Sequence, residues 1–190
     1  MSLEAARASF AQLSTEHPEV FGLSGLRLDI SYELTPDFLA TALPALLNLE
    51  GSNPYETARV RITSAGGDYR TALALASRFG HSPLQITTVA EAFCEGPAVL
   101  VAAAGDKGSR FAWEGTVFAL GGEHRPPEAY RKAAQLTLTE HAGGYNNPHH
   151  IRLWEMISYA ERTPFTAEQA LEWGIIDHIL PRLKPLAPVV

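Results

Sequence analysis

Residues 84–104 read "LQITTVAEAFCEGPAVLVAAA", and no other stretch restricts the possible folds so tightly. The first half is β-branched and reads as a strand running directly into Cys94. The second half opens on Gly96-Pro97 and continues as a helix that is apolar all round. A helix of that kind has to be surrounded, so strand and helix both belong to the interior of a layered domain. "VRITS" at 60–64, broken by "AGGD" and followed by a small-residue helix over 71–79, repeats the same strand, turn, helix order. "LRLDI" at 26–30 is a further strand. "TPDFLATALPALLNLE" is a helix with Thr35 as N-cap, Pro36 at its first position and an expected kink at Pro44. "RFAW" and "TVFAL" add two short strands. Strands and helices in alternation imply an α/β fold with crossovers.

The chain divides into four parts. Residues 1–24 are an N-terminal helical arm, with a helix over 3–13 expected to stand outside the core. Residues 25–122 form the α/β core. Residues 123–162 are a protruding helical arm, because "PPEAYRKAAQLTLTEHAGG" and "NPHHIRLWEMISYAER" have polar faces and are separated by the breaker "GGYNNP". Residues 163–190 hold a closing helix with a Thr166/Gln169 capping box, Gly174 as its stop, a last strand over 175–180 and a proline-rich tail.

Composition limits the function classes. With 46% hydrophobic and 19% charged residues, 190 residues make one globular domain. A formal charge of −6 and a longest apolar run of only residues 98–104 argue against nucleic acid and membrane as main partners. The single cysteine forbids an intrachain disulfide, no amino-terminal stretch resembles a signal peptide, and a cytoplasmic location is the expectation.

Two segments combine into a candidate site. "SAGGD" at 64–68 and "AFCEGPA" at 92–98 each place a small-residue turn between a strand and a helix. The first N–H groups of a helix lack internal partners, so two such turns side by side offer donors to an oxyanion. Glycines there also serve tight packing alone, and Cys94 by itself also reads as a small buried hydrophobe.

The ordered set "LLNLEGSNP", "ITSAGGD", "AAAGDKGSRFA" and "TAEQALEWGIID" resembles the proteolytic subunit of Clp proteases, within the crotonase-like superfamily. The resemblance implies a ClpP/crotonase-like spiral of β-β-α units, with residues 123–162 as the family's helical handle. It also implies that Cys94 occupies the seat of the nucleophilic serine, and that Gly67 and Glu95 supply backbone amides to the oxyanion hole. The base position falls on Leu120 or Gly121, neither of which accepts a proton. His124 lies just beyond and serves as base only if its loop folds over the site; otherwise it is a solvated loop histidine. The acid position falls on Arg162, expected to pair with a surface carboxylate. Glu91 and Glu95 are expected to push the Cys94 thiol pKa up.

The family contains ATP-dependent serine endopeptidase subunits, and a degenerate triad leaves catalysis open here. One reading is a noncatalytic or regulatory subunit, in a homo-oligomeric ring or with other Clp-type subunits, and with an AAA+ unfoldase as a further partner. The second is a peptidase-like or thioesterase-like hydrolase using Cys94, with His124 as its base. An acyl-CoA-binding enzyme is a remote third. No cofactor or metal is expected in any of them.

Overall fold

The computed structural model describes residues 11–12, 14–21 and 25–182. Most of the expected 3–13 helix, and the tail from residue 183, lie outside them. The order is α1 (Pro18–Phe21), β1 (Leu26–Ile30), α2 (Pro36–Ser52), β2 (Thr57–Ser64), α3 (Tyr69–Gly80), β3 (Gln85–Glu95) and α4 (Pro97–Ala103). There follow β4 (Arg110–Trp113), β5 (Val117–Leu120), α5 (Glu128–His141), α6 (His150–Ser158), β6 (Thr163–Thr166), α7 (Ala167–Glu172) and β7 (His178–Leu180). The architecture is a mixed α/β fold around one largely parallel sheet.

Strands run in the order β1-β2-β3-β4-β7, every adjacent pair parallel. β5 branches from β3 as a parallel neighbour and carries β6 antiparallel on its other edge. The fork has a local cause in β3. Thr88 to Ala90 pair with β4, whereas Phe93 to Glu95 pair with β5. Between them the register against β2 jumps from Ile62↔Ala90 to Ser64↔Cys94. Four residues of β3 thus oppose two of β2, and Ala92 takes a φ of 49°. An irregularity of this kind bends a strand and re-aims its side chains. Here it carries Cys94 out of the first ladder and into the second.

Local chemistry starts and stops the helices. The Thr35 hydroxyl accepts from the Phe38 amide, and α2 continues through Pro44 to Ser52. Asp68 caps α3 by accepting from the Thr71 amide at 2.9 Å and its hydroxyl at 2.8 Å. All seven residues of α4 are buried, as its sequence requires. α7 has the complete Thr166/Gln169 capping box. On the far face of the sheet, Val20 and Phe21 of α1 pack against a small cluster formed by Val89, Phe111 and Leu180.

Two expectations need correcting. The last strand covers only His178–Leu180 rather than 175–180, because Asp177 turns inward to Arg110, which donates from Nε at 2.8 Å and Nη2 at 2.5 Å. The second arm helix ends at Ser158, and Thr163–Thr166 is a strand pairing with β5. Its Pro164 suits an outer strand, where a missing amide donor costs no ladder bond.

Candidate active site

The first turn is held from three sides. Ser64 Oγ accepts from the Gly66 amide at 3.1 Å, while Leu34 donates to the Gly66 carbonyl at 2.8 Å and accepts from the Asp68 amide at 2.9 Å. Those two Leu34 bonds leave the Gly67 amide out of the bridge. Gly66 and Gly67 have φ of 122° and 117°, and a Cβ on Gly67 would collide with the Leu34 backbone. Glycine is required here by both conformation and space.

The second turn follows Cys94. Gly96 has a φ of 52°, donates its amide to the Ala119 carbonyl at 2.8 Å, and passes the chain to Pro97 at the start of α4. Cys94 is fully buried, opposite Ser64 on one side and Phe118 on the other. Burial raises its thiol pKa, and the charge of Glu95 raises it further. Glu91 takes no part in that shift: it accepts two bonds from Arg61, both at 3.0 Å. The expectation that both glutamates act on the thiol is corrected to Glu95 alone.

His124 lies against both turns. A Cβ on Gly66 would fall 2.5 Å from His124 Nδ1, and one on Gly96 would overlap His124 Cβ. The loop reading of this histidine is therefore replaced by a half-buried side chain packed over two glycines. His124 is thus placed over Gly66 and Gly96, and no hydrogen bond joins its imidazole to the buried Cys94 thiol. Leu120 is buried in the core. Gly121 has a φ of 80°, and a Cβ there would lie 2.6 Å from the Glu161 carbonyl and 2.9 Å from that of Met156. Gly121 has no room for an imidazole, and at position 120 the buried leucine offers no group that accepts a proton.

Arg162 pairs with a carboxylate, as expected, and its partner is the part-buried Glu95. It donates from Nε to Glu95 Oε2 at 2.8 Å and from Nη2 to Oε1 at 2.6 Å. The Glu95 side chain is 14% exposed against 46% for Arg162, so the arginine reaches inward from the rim. Those bonds hold the Glu95 carboxyl below the usual glutamate range, and nearby His124 adds to the effect. The pair was missed because nothing local links positions 67 residues apart. Beside the groove lies an open pocket of about 420 Å³, lined by Tyr32, Thr35, Thr63, Ala65 and Phe93. Among the described residues no cluster of three or more His, Cys, Asp or Glu is placed to hold a metal ion.

Comparison with known proteins places this geometry. A Clp protease family model matches residues 26–141, more than half of the chain and both turns. The chain belongs to the Clp protease family. A similar relative is the ATP-dependent Clp protease proteolytic subunit 1 of Corynebacterium efficiens. It is 30% identical over 149 residues, covering 70% of this chain and 69% of the relative. Among solved structures, a peptidase from Plasmodium falciparum superposes with a TM-score of 0.70 at 16% identity, over 90% of this chain and 99% of that one. A second structure, described as an enzyme, gives 0.70 at 18% identity over 82% and 95%. At such identities these likenesses establish the fold alone. Cys94 and His124 fall inside the span matched by the Clp family model, and Arg162 falls outside it.

Proposed function

We propose that this Clp-family chain is a noncatalytic or regulatory subunit of a Clp-type proteolytic assembly, built as a ring alone or with active relatives and served by an AAA+ unfoldase. The observation that carries this reading is the state of the nucleophile seat. Cys94 is sealed from solvent with its thiol pKa raised. A cysteine nucleophile works as the thiolate, and burial and the Glu95 charge both oppose that form here. At the base position, Leu120 is buried and Gly121 has no side chain; at the acid position, Arg162 is bound to Glu95. Loss of one essential triad member costs about as much as loss of all, leaving roughly 10³–10⁴ over water from binding and the oxyanion hole.

A second reading, a hydrolase using Cys94 with His124 and the Gly67 and Glu95 amides, draws support from the position of His124 over both turns. It requires the imidazole to swing onto the sulfur. An acyl-CoA-binding role rests on superfamily analogy. Purified protein is expected to leave short fluorogenic peptides uncleaved. Turnover that disappears in Cys94→Ala overturns the noncatalytic reading in favour of the second.

A further inference from the structure

His124 does more than lie near the candidate site, because of where its two glycine contacts stand. Ser64 and Cys94 are register partners across β2 and β3, and Gly66 and Gly96 each lie two residues further on. A side chain packed against both glycines therefore closes the groove between the two turns. The contact is tight on each side, since even a methyl group on either glycine would have to displace the histidine.

The segment that carries the imidazole is tethered at its base. Gly121 and Gly122 have φ of 80° and 67°, conformations in which glycine is free and other residues are strained. The Gly122 amide donates to the Tyr159 carbonyl at 3.1 Å. A Cβ on Gly122 would lie 3.1 Å from Arg162 Cβ, so the turn leans on that residue. Arg162 in turn grips Glu95, the residue before Gly96. The contacts form a closed circuit from His124 through Gly122, Arg162 and Glu95 to Gly96 and back to His124.

We propose that the Gly122–His124 turn is an autoinhibitory plug: its imidazole fills the groove that a substrate carbonyl would have to enter, and the Arg162–Glu95 pair latches it in place. The inference goes beyond the noncatalytic reading and applies to either chemistry, because it concerns entry to the groove rather than turnover. The latch is releasable, since one partner stands at the rim and an ion pair of that kind is weak.

Replacing the plug by a cavity of its own shape tests this. In His124→Gly, iodoacetamide is expected to label Cys94 about tenfold or more faster than in the wild type, because no local opening is then needed. Free imidazole should refill the cavity, slowing the variant saturably and leaving the wild-type rate unchanged. His124→Ala, with circular dichroism to confirm its fold, provides the same comparison if the glycine variant fails to fold. Equal labelling rates in wild type and folded variant overturn the plug, as does acceleration that imidazole fails to reverse. Labelling needs no turnover, so this failure is distinct from failure of the noncatalytic reading, which peptide cleavage decides.

Discussion

Glu95 supplies its amide to the oxyanion turn in the hydrolase reading proposed above, while its carboxylate holds Arg162 across 67 residues. The pair is bidentate, which favours it, but Arg162 is nearly half exposed and water screens the interaction. Glu95→Gln should therefore lower stability at pH 7 by about 0.5–1 kcal/mol. The Glu95 carboxyl titrates lower in the folded chain than in the unfolded one. The contribution is thus complete above the unfolded value and is lost as pH falls through the folded one. Urea titrations should show the gap between wild type and variant closing below about pH 4. A gap that persists unchanged to pH 3 contradicts the assignment; other carboxylates titrate in both proteins and cancel. At Cys94 burial and the Glu95 charge act in the same direction, against the thiolate. Wild-type Cys94 should react with iodoacetamide at pH 6.5 no faster than free cysteine, and a labelling midpoint well below pH 7 would show a Cys94–His124 pair. Little of this was legible beforehand. The place of Cys94 between a strand and a Gly-Pro turn was legible and its reading as a nucleophile seat came from the family resemblance, but the partners of Arg162 and His124 depend on chain path and leave no local signal.

Among elements, the clearest organising contact is the Arg110–Asp177 pair between β4 and the entry to β7. Arg110 Nη1 also donates to the carbonyls of His141 at 2.6 Å and Gly174 at 2.9 Å, tying the ends of α5 and α7 to the sheet. Burial alone would raise the Asp177 carboxyl, but the Arg110 bonds and two backbone amides outweigh it and hold it low. Removing one partner of a buried pair leaves the other charge uncompensated. Asp177→Asn should cost roughly 3 kcal/mol, the low end of that range because Asp177 is 15% exposed. Thermal and urea unfolding measure it, and a loss under about 1 kcal/mol, the scale of a surface pair, would contradict the clamp. The wild-type contribution is present above the unfolded pKa of Asp177 and declines as pH falls through the lower folded value. The segment "IIDHIL" at 175–180 reads as strand from its apolar character, and the bond of Asp177 to Arg110 holds the strand back to His178–Leu180. β6 escaped for the opposite reason: "TPFT" is too short and too polar to announce a strand until β5 lies alongside it.

Over the whole molecule, one parallel sheet with a branching pair of strands leaves large apolar side chains on several outer faces. Leu47 on α2 is 53% exposed, and Tyr145 and Ile151 beside the α5–α6 arm are 62% and 61% exposed. Symmetric assemblies cover such faces, and an oligomer is expected in sedimentation velocity at micromolar concentration. A monomer under those conditions would contradict the assembly proposed above. None of the helices among the described residues is long and apolar enough to cross a membrane. The elements readable from the chain alone are those whose causes lie within a few residues. The Thr35 cap, the Thr166/Gln169 box, the buried α4 and the strand leading into Cys94 all depend on hydrogen bonds or apolar runs of one or two turns. The fork in β3, the grip of Arg162 on Glu95 and the seating of His124 on Gly66 and Gly96 emerge with the folded chain. Those contacts join residues far apart in the chain, and their geometry comes from the path of the sheet, which no short-range pattern encodes.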